Sequence, residues 1–298
     1  MDIKLTKEQI GIVSALKSID NLKINAYAGT GKTSTLIALA ENYPNKKFLV
    51  LTFNRSIAQE LKRKVPSNCY VYTVHALAYK FLPGDKKEIA DRKVFMDKLI
   101  DMLDLHGNII RAYFYREVYE AFCNSLYIKP SVENVKKLIM SNISLKQKFY
   151  YTFSNEYGKD KKAFFKKEEI IEKVADALEY IIYSVDKGYI PITHDYYLKY
   201  FQTIFNSQAV SEFFKKFDVI LVDEGQDLNG IQEYILRHAP VPQKVIVGDR
   251  HQSIYSWRGA VNTLSKLDWR EYSLTCLLYK SEAADEEEKV DFRGRRVI

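Results

Sequence analysis

Two short stretches carry residue types that belong together in phosphate chemistry. The first is Ala26-Tyr27-Ala28-Gly29-Thr30-Gly31-Lys32-Thr33. Glycines at such spacing let the backbone turn its N–H groups toward phosphate oxygens at a helix N-terminus, where the helix dipole also favours an anion. Lys32 is placed to meet the β and γ phosphates of a nucleotide, and Thr33 a magnesium ion. The general pattern has glycine where this chain has Ala26, but Ala28, Gly29, Thr30, Gly31, Lys32, Thr33 and Ser34 still form a complete cradle.

The second stretch is Ile220-Leu221-Val222-Asp223-Glu224, followed by Gly225-Gln226-Asp227. Two adjacent carboxylates at the end of an apolar run suit phosphoryl transfer. One acid holds the metal, and the other orients and deprotonates the attacking water. Asp223 fits the first task and Glu224 the second. A solvated acidic turn is the plain alternative, and it loses ground beside a phosphate loop.

Elements must deliver these residues to one place. Over the first hundred residues, short apolar runs alternate with amphipathic stretches, the pattern of parallel strands with crossing helices. Leu22–Tyr27, Phe48–Phe53 and Cys69–Tyr72 read as strands, with helical spacing over Thr33–Glu41 and Ser56–Lys64. From about Pro83 to Lys187 the chain turns helical, with segments such as Arg92–Leu103 and Lys166–Ser184 and no strand signal. The α/β pattern resumes near His194, with strands at Phe217–Val222 and Lys244–Val247. The expected fold is an α/β parallel sheet flanked by helices and interrupted by an all-helical insert. Its expected parts are 1–83 and 191–275 for the sheet domain, 84–190 for the insert, and 276–298 as a divergent, disordered tail.

Asp223-Glu224-x-Gln226-Asp227 resembles the second motif of UvrD/Rep-like superfamily 1 DNA helicases, and further stretches agree in order. Val247-Gly248-Asp249-Arg250-His251-Gln252-Ser253-Ile254-Tyr255-Ser256-Trp257-Arg258-Gly259-Ala260 is similar to the family's third major motif nearly throughout. Leu51-Thr52-Phe53-Asn54-Arg55 and Thr73-Val74-His75 resemble its DNA-contacting motifs. Within the family, Ala121-Phe122-Cys123-Asn124-Ser125 and His194-Asp195-Tyr196-Tyr197-Leu198-Lys199 look like the F-box DNA helicase subgroup and its microbial relatives.

The resemblance implies a RecA-like lobe that binds ATP with Mg2+ and grips single-stranded DNA, including at junctions with duplex. It implies that Gln252 senses the γ phosphate and that Phe53, Asn54, Arg55, Thr73 and His75 contact DNA. Tyr255 and Trp257 would stack on unpaired bases, worth about 1 to 3 kcal/mol per base, and Arg258 would link strand to nucleotide. Gln9 resembles the family's adenine-reading glutamine. It is placed equally well to close a capping box with Thr6.

After Thr275 the family's opening to a second lobe does not follow. Its later arginines, worth about 10³ to 10⁵ in rate elsewhere, are absent from the remaining residues. The expectation is a front half: a truncated product, or one that needs a partner chain supplying the second lobe. Intact members unwind DNA in the 3′ to 5′ direction. Two competing classes are an ATP-dependent regulator or nucleotide kinase sharing only the phosphate loop, and a non-enzymatic ATP- and single-strand-binding module or regulator of a complete helicase.

Composition sets the remaining bounds. The 298 residues, 47% hydrophobic, suffice for a sizeable core, and the net charge of +7 is compatible with a polyanionic partner. No apolar run approaches the roughly 20 residues of a membrane span, and no leader pattern opens the chain. An intracellular location is expected, cytoplasmic in a bacterium and nuclear in a eukaryote. Cys69, Cys123 and Cys276 are too scattered for a zinc or disulfide framework and are expected to be reduced. Lys146-Gln147-Lys148-Phe149-Tyr150-Tyr151 in the insert reads as core aromatics beside a solvated basic face, with contact to duplex DNA as the alternative.

Overall fold

The run Phe48-Leu49-Val50-Leu51-Thr52 is buried at every position, as a parallel strand covered on both faces should be. It forms strand β2 of the sheet in this computed structural model, which describes residues 5–52, 54–84, 89–249 and 263–275. Around it lie β1 (Leu22–Ala26), β3 (Cys69–Thr73), β4 (Val219–Val222), β5 (Gln243–Gly248) and β6 (Arg270–Leu274). The sheet order is β3-β2-β4-β5-β1-β6, and every pairing is parallel.

The helices of this α/β unit are α1 (Lys7–Ala15), α2 (Lys32–Asn42) and α3 (Arg55–Lys64) early in the chain, then α13 (Gly230–His238) and α14 (Thr263–Lys266). Ile12 and Leu16 from the α1 region and Leu36 and Leu39 of α2 join Ile24, Val50, Leu221 and Val245 of the strands in one buried cluster. The connection leaving β1 runs toward β2, and the one leaving β5 runs toward β6, in the opposite direction along the sheet. Adjacent strands with diverging connections leave a crevice at their C-terminal ends, where open α/β sheets bind ligands.

The chain leaves this unit after Val74 and returns to it at Ser211; residues His75–Val210 form a second compact unit. That unit is built from helices, α4 (Val74–Lys80), α5 (Arg92–Met102), α6 (Ile109–Cys123), α7 (Val132–Ser141), α8 (Ile143–Tyr157), α9 (Lys161–Phe164), α10 (Glu168–Asp186), α11 (His194–Thr203) and the start of α12 (Gln208–Phe214). Apolar residues recur at three- and four-residue spacing along α10, and Ile170, Val174, Leu178, Ile181 and Val185 are all buried. Phe114, Phe149, Phe153 and Phe164 pack ring against ring, with centroids 5.2 to 5.9 Å apart.

The helical unit is therefore wider than the 84–190 span expected from local pattern. α4 and α11 belong to it because their aromatic faces find partners there. Tyr79 meets Tyr197, Phe81 meets Phe201, and the Lys199 ammonium donates to the carbonyls of Ser125 and Tyr127. The other unanticipated element is β6. Its residues are largely exposed, so no apolar run marks it, and it exists through its register with β1 from Leu22↔Arg270 to Ala26↔Leu274. The expected tail 276–298 lies outside the described residues.

Among the described residues no helix is long and apolar enough to cross a membrane. Cys69 and Cys123 are free thiols, and burial pushes the Cys69 thiol up to about 11.

Candidate nucleotide site

The crevice at the C-terminal end of β1 is shaped by two glycines. Gly29 and Gly31 have φ of 74° and 82°, left-handed conformations that cost other residues about 1–2 kcal/mol. Gly31 is also the N-cap of α2, and no side chain caps that end. The N–H groups of Lys32, Thr33 and Ser34 form the first helical turn and have no carbonyl inside the helix to bond. Tyr27, Ala28 and Gly29 are exposed while Thr30 is buried, its hydroxyl donating to the Tyr27 carbonyl at 2.8 Å. The loop thus presents backbone donors outward from a fixed base.

β4 delivers the acids to the same crevice. Lys32 Nζ lies 3.1 Å from Glu224 Oε2, an ion pair joining segments 192 residues apart. Asp223 is almost fully buried, and its Oδ1 accepts the Glu224 backbone N–H at 3.0 Å. Glu224 adopts φ of 53°, rare for a non-glycine residue and of the kind that clusters at functional sites.

Burial first, and then the neighbouring Glu224 charge, push the Asp223 carboxyl up to about 6. The same two causes raise Asp227 to about 6, and its Oδ1 is buried with no hydrogen-bond partner among the described residues. Asp223, Glu224 and Asp227 thus crowd together with Lys32 as the cation paired to Glu224 there.

That excess of negative charge suits a divalent cation, which would hold Asp223 ionised. Among the described residues no set of three His, Cys, Asp or Glu side chains could hold a metal by itself. Magnesium commonly takes only one or two carboxylates and fills its octahedron with phosphate oxygens and water. The buried Asp223 carboxylate is of a kind to fill such a sparse role.

Gln9 is fully buried and does two structural jobs. Its Oε1 accepts from the Thr6 backbone N–H at 2.9 Å, completing the capping box of α1, and its Nε2 donates to Thr35 Oγ1 at 3.1 Å. Thr35 Oγ1 in turn donates to the Gly31 carbonyl at 2.9 Å. The capping role of Gln9 is thus present, and its amide extends a chain of bonds from the cap to the phosphate loop.

The residues expected to contact DNA are divided. Asn54 and Arg55 are exposed, two and three residues past the end of β2, and Asn54 Oδ1 caps α3 by accepting from the Ile57 N–H at 2.9 Å. Thr73 ends β3 in register with Thr52, so it shares the sheet edge that carries the phosphate loop and the acids. His75 lies in the helical unit, its ring 5.8 Å edge-on from Tyr197. Phe53, Gln252, Tyr255, Trp257 and Arg258 lie outside the described residues. In the insert, Phe149 enters the core, Tyr151 is exposed, and Lys148 pairs with Glu117.

Gln226, Asp227 and Thr35 received no role from sequence reasoning. The signal for the first two was present, because Asp223-Glu224-x-Gln226-Asp227 is itself the motif.

A parallel sheet with a helix-capping glycine loop after β1 and an acidic pair after β4, two places along the sheet, defines the lobe of a phosphate-loop nucleotide-binding protein. Residues 5–271 match the UvrD/REP helicase N-terminal domain family. The chain is similar to F-box DNA helicase 1 of Gallus gallus, 30% identical over 88% of this chain and 25% of that protein. It is also similar to F-box DNA helicase protein 1 of Schizosaccharomyces pombe, 27% identical over 86% of this chain and 28% of the relative. A probable DNA helicase II homolog of Mycoplasma capricolum is 27% identical over 83% of this chain and 35% of the relative. The chain spans about a quarter to a third of the length of these relatives. It belongs to the UvrD/REP helicase N-terminal domain family.

Proposed function

We propose that this chain is the ATP-binding lobe of a DNA helicase motor, using ATP with Mg2+ and engaging single-stranded DNA and its junctions with duplex. The observation that carries the proposal is the 3.1 Å pairing of Lys32 with Glu224 beneath an uncapped helix N-terminus. In this reading the N–H groups of residues 28–34 and the Lys32 ammonium bind the phosphates, while Asp223 and Thr33 hold the ion. Bound magnesium would offset the charge on the phosphate oxygens and so favour attack at the γ phosphorus. Glu224 holds the attacking water and takes its proton. Lys32 must leave Glu224 to reach the phosphates, so nucleotide entry frees the carboxylate for that work.

Asn54, Arg55 and Thr73, on the same sheet edge, support a DNA path beside the nucleotide; the resemblance in sequence further assigns DNA contacts to Phe53, His75, Tyr255, Trp257 and Arg258, and γ-phosphate sensing to Gln252. Arginines from a second lobe, on this polypeptide or a partner chain, would complete the cleft.

The test is nucleotide affinity and ATP turnover by the purified chain, with and without single-stranded DNA, beside Lys32→Ala and Glu224→Gln. Mg2+-dependent nucleotide binding that Lys32→Ala abolishes supports the lobe. Binding without turnover marks a lobe that needs its partner, whereas robust DNA-stimulated turnover lost in both variants marks a chain that hydrolyses unaided. Failure to bind any nucleoside triphosphate overturns the proposal.

A further inference from the structure

Gln226 is 2% exposed, at the centre of a short 3-10 turn (Gly225–Asp227) that follows the acidic pair. Its carboxamide lies 3.4 Å from Asp227 Oδ2, and two other bonds that it makes link separate segments. Nε2 donates to Glu224 Oε2 at 2.8 Å, the same oxygen that pairs with Lys32, and Oε1 accepts the backbone N–H of Asp249 at 3.0 Å. The turn can approach β5 this closely because residue 248 is glycine. A Cβ there would collide with Gln226 Oε1 and come within 3.0 Å of the Gly225 nitrogen. Asp249 is the first residue beyond β5.

We propose that Gln226 is a positioning residue that ties the orientation of the Glu224 carboxylate to the position of the Asp249 backbone, where the chain leaves β5. The inference rests on the nucleotide-site reading above. An amide suits the task because it bonds a carboxylate with its donor end and a backbone N–H with its acceptor end, which neither a carboxylate nor an ammonium can do. The bond to Asp249 is buried and the bond to Glu224 is partly so, and one rigid amide makes both, so a change at one end is felt at the other. When phosphates draw Lys32 away, Glu224 Oε2 loses one of its two partners. The bond to Gln226 then strengthens or shifts, and the Asp249 amide moves with it.

Hydrogen exchange at the Gly248 and Asp249 amides reads this directly, with and without Mg2+ and a non-hydrolysable ATP analogue. Binding of the analogue is measured in the same samples by displacement of a fluorescent nucleotide. In the unsubstituted chain the analogue should change the Asp249 exchange rate by about tenfold, the scale of one buried hydrogen bond gained or lost. In Gln226→Met, similar in volume but unable to make either bond, exchange at 248–249 should no longer respond, while nucleotide affinity stays within about threefold. Gln226→Glu, which keeps the length and loses the donor, should also lose the response. It serves as the second variant if the first does not fold.

A nucleotide response that persists in the variants overturns the inference. So does an unsubstituted chain that binds nucleotide with no response at Asp249. If no nucleotide binds at all, the site reading itself fails, and the binding measurement reveals that separately.

Discussion

Glu224→Gln should tighten nucleotide binding while it removes hydrolysis. In the structure Lys32 Nζ sits 3.1 Å from Glu224 Oε2, with side chains 14% and 26% exposed. Phosphates can recruit this ammonium only by separating the pair. A partly exposed pair with good geometry contributes about 1 kcal/mol, and 1.4 kcal/mol is a factor of ten, so releasing it improves affinity about fivefold. A second effect has the same sign, because the substitution removes one negative charge from a site that must accept a polyphosphate. Turnover should fall by at least about 10²-fold through loss of the general base.

The assay is isothermal titration of the chain with Mg2+ and a non-hydrolysable ATP analogue at 0.05 and 0.5 M salt. The gain should shrink at the higher salt as the pair is screened. Unchanged or weaker affinity in Glu224→Gln would refute the idea that nucleotide competes with Glu224 for Lys32.

Three further outcomes are expected. Gly31→Ala places a side chain at φ 82° and should destabilise the chain by about 1–2 kcal/mol in denaturant titration while abolishing nucleotide binding. Phe149→Ala should cost about 3–5 kcal/mol in unfolding of the helical unit, since the ring is 1% exposed among other phenylalanines. Nucleotide affinity, a property of the α/β unit, should stay within about twofold in that variant at temperatures below its melt.

Lys199 is buried, with its pKa lowered from 10.5 to about 8 by desolvation. Between pH 8 and 10.5 the unfolded chain therefore binds more protons than the folded one, and stability from this group rises with pH. Relative to Lys199→Met, the native chain should gain about 3 kcal/mol across that window, measured by denaturant unfolding at each pH. A difference that stays flat with pH would show that the folded state does not depress this lysine.

How much of this was legible beforehand follows from the range of the forces involved. Gly29-Thr30-Gly31-Lys32 and Asp223-Glu224 could be read from the sequence because their chemistry is local: a loop needs glycine at positive φ, and an apolar run ending in acids marks a strand end. Apolar runs such as Phe48–Thr52 likewise announce buried strands, and three- and four-residue spacing announces α10. Strand order has no such local signature. That β4 and β5 insert between β2 and β1, bringing Glu224 to Lys32 across 192 residues, was decided by packing of the whole sheet.

The same holds for β6, whose exposed residues become a strand only beside β1, and for α11, which joins the helical unit because Tyr197 and Lys199 find partners there. The dual task of Gln9 and the bridge made by Gln226 belong to this second kind as well. The sequence by itself determined which residues could handle a phosphate; the tertiary structure decided which of them meet, because hydrogen bonds and ion pairs act over a few ångströms of space, regardless of separation along the chain.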